Sequence, residues 1–452
     1  MKRTLALLLA LAMMFSLAAC SAGGKEQPKP AASEAAAEEP VELLVWWWGE
    51  GDTPGSKAWL EETVGRYKEV APNISITLVE QTSDQLYPAW ESAIQAKQGA
   101  DIQFLWTGSW AIPYIWNENL ADITALVDPE ELAHWTSLEG LSYDGKPWLC
   151  PWYQISIVMM YNKELFAAAG LDPNAPPTTW DELLAACEAL KAIEVIPLEL
   201  GGMKDGWGTP WVYAVFGPAA HDSIRSYIEA SINPGSFLDE KHMDWFEKVG
   251  QLIDSGYTNP LAMSYDFYQG RESFLRGESA MGLATNGQAI QWIEEMGGED
   301  KVGIMNIPVM GEGALAGKLN TQAHSFAIPE FSQHKQEAAD FLVFMHQPEQ
   351  LKSWYEHTKN FPCDDRFDPA WIGLDSEKQI YDELLNNSVP YTELYIPAQV
   401  DNEGVYAAMR MLFSGSTPLE CSEYIEEAAE KWRSMNMFEV EGFTDWAVKY
   451  SD

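Results

Sequence analysis

Tryptophan beside short polar runs is the pattern in this 452-residue chain that could do chemistry. The sequence carries 20 Trp and 18 Tyr. Trp46-Trp47-Trp48 runs on to Glu50 and Asp52, and Trp106-Thr107-Gly108-Ser109-Trp110 repeats the mixture. Trp207 stands in the Gly-rich stretch Asp205-Gly206-Trp207-Gly208, which reads as a loop. Rings offer flat apolar faces, while carboxylates, hydroxyls, amides and imidazoles offer hydrogen bonds, so the chemistry these types could do is noncovalent contact. Bond-making motifs are missing: the sequence has no GxSxG elbow, P-loop, HExxH or EF-hand-like DxDxDG. Cys150, Cys187, Cys363 and Cys421 have neither CxxC nor metal-like spacing, and we assign them no disulfide. No catalytic residue, metal or cofactor is expected.

The elements that position these residues follow from periodicity. Val41-Glu42-Leu43-Leu44-Val45 reads as a strand, Trp59 to Val70 as a helix, and Ile74 to Val79 as a second strand. A helix over Gln85 to Gln98 and a strand over Ala100 to Trp106 follow. Strand, helix, strand, helix, strand is the order of a parallel α/β sheet, in which ligands sit beyond the carboxyl ends of strands. Those ends fall at Trp46 to Asp52, at Gln81 to Asp84 and at Trp106 to Trp110. Alternation turns Trp47 away from Trp46 and Trp48, so at most two of the three share a face. Ser83 suits a helix cap as well as it suits a ligand contact.

Charge bounds the partners. The chain has 28 basic and 68 acidic residues, a formal charge of -40, which opposes nucleic acid and anionic lipid surfaces. The front end has a different character. Lys2 and Arg3 precede an apolar run from Leu5 to Ala19 that is too short to span a bilayer comfortably and reads as a signal peptide over 1–19. It stops at Leu17-Ala18-Ala19-Cys20, which resembles the lipobox of bacterial lipoproteins and makes Cys20 the lipidated residue. From 20–40 the composition is that of a flexible tether.

A longer resemblance lies further on. Tyr161-Asn162-Lys163-Glu164-Leu165-Phe166, Ala169-Gly170-Leu171 and Pro177-Thr178-Thr179-Trp180-Asp181-Glu182-Leu183 resemble the YNK-x-LF, AGL and P-x-TWDEL signature of family 1 extracellular solute-binding proteins. These are the sugar receptors of ABC importers. Phe274 to Met281, Lys335 to Phe344 with Gln347-Pro348-Glu349, and Phe413-Ser414-Gly415 resemble later elements of that family, so the likeness extends from Val41 onward. It implies an α/β, two-lobed, periplasmic-binding-protein-like fold (type II), with a three-crossing hinge and the ligand cleft between the lobes. Lobe one would comprise 41–153 plus 308–347, and lobe two 157–303 plus 351–452. The crossings would fall near 153–156, 303–308 and 347–351.

The resemblance also implies where a sugar would lie. Sugars present flat C–H faces edged by hydroxyls, which rings and polar groups match. The expected contacts in lobe one are Trp47, Glu50, Asp52, Ser83, Asp84, Trp106 and Ser109, with Tyr153 and Gln154 at the first crossing. In lobe two they are Trp207, Asn286, Trp292, His324 where lobe one resumes, and Asn402 at a helix start. The family's NG-x-W motif is broken, since Ala289 stands where its aromatic falls and the next Trp is Trp292. The expected partners are a small-molecule carbohydrate and the transmembrane subunits of an ABC permease, with the protein monomeric and meeting the membrane only through its lipid. The expected place is the extracellular face of a bacterial cell membrane, pointing to a Gram-positive host. A receptor for a cationic solute or peptide is the alternative, and a secreted glycoside hydrolase using two of the many carboxylates is a remoter one.

Overall fold

The structure, a computed structural model, describes residues 39–450; the signal segment, Cys20 and all but the last two residues of the tether lie outside the described residues. The opening alternation is realised as expected. β1 (Val41–Trp47) lies between β2 (Ile74–Glu80) and β3 (Ile102–Leu105), parallel to both, with Val41 opposite Ile74 and Val45 opposite Ile102. The helices Ser56–Val70 and Ser83–Ala96 are the crossovers. Leu43, Val45 and Trp47 of β1 point into the core at every second position, as the pleat requires.

A short hairpin of β4 (Ser142–Tyr143) and β5 (Lys146–Pro147) precedes β6 (Cys150–Asn162), a 13-residue strand. Then come β7 (Ile196–Glu199), β8 (Ser279–Thr285), β9 (Val302–Met305), β10 (Leu319–Ala327), β11 (Phe361–Pro362) and β12 (Ser388–Pro390). The strands follow one another in space as β2-β1-β3-β10-β6-β8-β7, with β9 and β11 also on β6 and β12 on β10.

β6 is what joins the two ends of this arrangement. From Cys150 to Ser156 it pairs with β10, and from Ile157 to Asn162 it pairs with β8 and β9. At that change of partner Asn286 Oδ1 accepts the Ser156 N–H at 3.0 Å, so the backbone donor is not stranded. The chain returns from the β8–β9 side to the β3 side between β9 and β10.

At 347–351, where the third crossing is expected, the chain runs beside the helix Ser56–Val70. Trp59 Nε1 donates to the Gln350 carbonyl at 3.1 Å, and the Trp59 and Trp354 rings meet edge to face at 5.1 Å. β11 then pairs with Tyr153 and Gln154 of β6. An aromatic anchor on the helix Pro348–Thr358 holds this segment, which motif matching does not register. The last helices, Pro418–Met435 and Met437–Lys449, begin after a Thr417–Glu420 capping box, and Phe443 packs on Trp116. Among the described residues no helix is long and apolar enough to cross a membrane, and the four cysteines are buried free thiols.

Candidate ligand-binding site

A cavity of about 270 Å³ opens where the carboxyl ends of the parallel strands meet segments from later in the chain. The segment after β1 contributes Trp48 and Asp52, the segment after β2 contributes Thr82, Ser83 and Asp84, and the turn after β3 contributes Trp106 and Trp110. This is the position that strand topology predicts for a ligand. The opposite wall carries Trp207 and Trp211, Phe267 and Tyr268, and Tyr391, Glu393 and Tyr406, while β10 adds Gln322 and His324.

Rings run across the cavity in a chain of edge contacts. Trp48 meets Trp106 at 5.4 Å and 86°, Trp106 meets Trp207 at 6.3 Å and 61°, and Trp207 meets Tyr406 at 5.6 Å and 86°. Such edge-to-face arrangements fix each ring's tilt. Hydrogen bonds hold them further. Trp48 Nε1 donates to Ser83 Oγ at 2.9 Å, and the Trp106 N–H donates to the Tyr87 hydroxyl at 3.1 Å. Trp207 sits on a tight turn closed by its own N–H to Asp205 Oδ1 at 3.2 Å, and it is only half-buried.

The electrostatics are one-sided. Asp52, Asp84, Asp205 and Glu393 reach the wall, and no Lys or Arg does. Asp52 is the compensated one, since Arg271 Nη1 lies 3.4 Å from Oδ1 and stacks 4.3 Å from the Trp211 ring. Burial still raises the Asp52 carboxyl above its ordinary value, against the pull of Arg271. His324 is fully buried between Trp48, Phe104 and Tyr153, and desolvation lowers its pKa to about 3, so it is a neutral imidazole.

Of the residues expected from the sequence, Asp52, Ser83, Asp84, Trp106, Trp207 and His324 come together around this cavity. The others lie elsewhere, each for a local reason. Trp47 falls on the core face of β1, and the next residue, Trp48, takes the cavity position. Glu50 accepts the N–H groups of Gly55 and Lys57 at the start of the helix Ser56–Val70. Ser109 is buried behind the wall, Tyr153 packs against Trp354 at 4.6 Å, and Gln154 accepts from Ser137 at 2.9 Å. Asn286 serves the backbone of β6, Trp292 stacks on Phe274 at 6.2 Å, and Asn402 is exposed. Alternation sets Trp48 opposite Trp47 but does not say which of the two faces the cavity. Tyr391, Glu393 and Tyr406 carry no local signal, because long-range packing brings them in.

One group elsewhere has the residue types of a nucleophilic triad. Cys150 Sγ is 3.3 Å from His346 Nε2, and His346 Nδ1 is 2.9 Å from Asp364 Oδ2. All three are buried away from the cavity, and burial pushes the Cys150 thiol well above its ordinary value, which holds it protonated.

Residues 62–372 match the family described as bacterial extracellular solute-binding protein. The chain belongs to that family. A binding protein of Brucella abortus (strain 2308) is 24% identical over 342 residues, 73% of this chain and 76% of its own length. The sn-glycerol-3-phosphate-binding periplasmic protein of Escherichia coli (strain K12) is 26% identical over 219 residues, 47% of this chain and 48% of its own. Among solved structures, a chitin oligosaccharide binding protein superposes with a TM-score of 0.76 at 20% identity, covering 87% of this chain and 98% of that one. The two-lobed α/β fold is therefore shared, and the family is one of binding proteins.

Proposed function

We propose that this extracellular solute-binding protein takes up a carbohydrate in the Trp-lined cavity and presents it to the transmembrane subunits of an ABC permease. The observation that carries the reading is the ring chain Trp48–Trp106–Trp207–Tyr406, with Ser83, Gln322, Asp52 and Asp84 on the same wall. Indole faces match the C–H faces of a pyranose, and the polar groups match its hydroxyls. The similarity to a chitin oligosaccharide binding protein agrees with this. A glycerol-phosphate-like ligand fits less well, because a phosphate needs Lys or Arg and none reaches the wall.

In this account the β1–β3 side and the β8–β9 side are the two lobes, and β6 is a hinge at Ser156 and Ile157. Closure would bring Asp52 to Arg271 and Trp106 to Trp207, both contacts between those sides. The lobe boundaries then follow the pairing, with 348–362 kept on the lobe-one side. Signal peptide 1–19 and lipid on Cys20 would tether a monomer to the outer face of the cell membrane, and the protein would perform no catalysis.

Calorimetric titration tests the assignment. Once a sugar ligand is in hand, Trp207→Ala should weaken its binding by about 2 kcal/mol or more, as expected for an aromatic anchor. Equal affinity in a folded Trp207→Ala variant would remove the ring chain from the site.

A further inference from the structure

Glu393 is a buried carboxyl on the cavity wall with no cation against it. It is 5% exposed, it lines the cavity, and its Oε2 has no hydrogen-bond partner. Asp401 lies behind it, fully buried, with both carboxylate oxygens unpartnered. Burial together with repulsion from Asp401 holds Glu393 well above the usual carboxylate range. Leaving such a group without a partner costs stability, so its presence on a binding wall calls for a ligand group that completes it.

The surroundings narrow that group. No Lys or Arg reaches the wall, His324 is neutral, and Arg271 is already engaged with Asp52 and Gln288. A divalent metal is a poor fit, because among the described residues no three His, Cys, Asp or Glu side chains are placed to hold one. Tyr391, Tyr406, Trp106 and Trp207 share the cavity with Glu393, and aromatic faces beside one carboxylate suit an ammonium group.

We infer that the carbohydrate bound here carries a free amino group, cationic at neutral pH, seated on Glu393 among the rings of Tyr391, Tyr406 and Trp207. The inference rests on the carbohydrate reading above and names the kind of sugar. Arrival of the ammonium stabilises the ionised form of Glu393, so that its proton leaves to solvent as the pair forms.

The test is calorimetric titration of the purified protein with matched mono-, di- and trisaccharides that differ only in bearing an amine, an N-acetyl group or a hydroxyl, with putrescine as a non-sugar amine. The expected result is that the amine members bind on the order of tenfold tighter or more than their neutral counterparts. Glu393→Gln, close in shape and uncharged, should erase that preference, so that amine and neutral members bind alike. Neutral sugars binding as tightly as amines in the wild type would overturn the inference and leave the carbohydrate reading standing. Binding of putrescine with no response to any sugar would overturn the carbohydrate reading itself, and silence from the whole set would remove both. The wild-type series decides even if the variant folds poorly.

Discussion

Arg271 stacks on Trp211, faces Phe267 at 4.8 Å, and points its guanidinium at Asp52 and Gln288. Both members of the ion pair are buried, so each depends on the other for its charge. Arg271→Met should therefore destabilise the protein by about 3–5 kcal/mol, because an uncompensated carboxylate is left behind. Urea unfolding would show this as a lower midpoint at unchanged slope. A loss under about 1 kcal/mol would mean that Asp52 is relieved by water or protonation and that the pair does not brace the cavity. Neither partner's role is written in the sequence. Asp52 is legible as a polar residue beyond a strand end, but Arg271 sits inside the helix Phe267–Leu275 like any surface Arg. Trp47 and Trp48 show the limit from the other side. Alternation says that they face opposite ways, and only the sheet's packing decides which way is inward.

At the scale of elements, the first three strands were readable because alternation, turn residues and crossover helices agree with one another. The turn after β3 needed the structure. Gly108 has φ +61°, and a Cβ there would meet the Leu394 carbonyl oxygen at 2.1 Å. Leu394 is the neighbour of Glu393, so this close approach brings the Trp106 turn up to the turn Thr392–Tyr395. Gly108→Ala should cost about 1–3 kcal/mol through overpacking and a left-handed backbone, and it should weaken ligand binding by displacing that turn. Thermal unfolding and titration of the same variant check both effects; unchanged values in both would show that the two turns are not coupled. The placement of the helix Pro348–Thr358 was not legible for a related reason. The helix Pro348–Thr358 is placed by Trp59 meeting Gln350 and Trp354, contacts nearly 300 residues apart that no local pattern announces.

For the whole molecule, the formal charge of -40 and the acidic wall point the same way, toward a ligand that is neutral or cationic and away from polyanions. The family resemblance was legible in long contiguous motifs, and with it the fold. Which rings face the cavity was not, since a Trp in the core and a Trp on a wall have the same spacing until the sheet is assembled. Whether the cavity holds a carbohydrate is decided by a thermal-shift screen of the purified protein. The panel is mono-, di- and oligosaccharides, amino sugars included, against amino acids, peptides, putrescine and glycerol phosphate. A sugar at a hundred times its dissociation constant should add about 2.7 kcal/mol of stability and raise the unfolding midpoint by a few degrees. A midpoint that no sugar moves, while a peptide, a polyamine or glycerol phosphate does, would contradict the account.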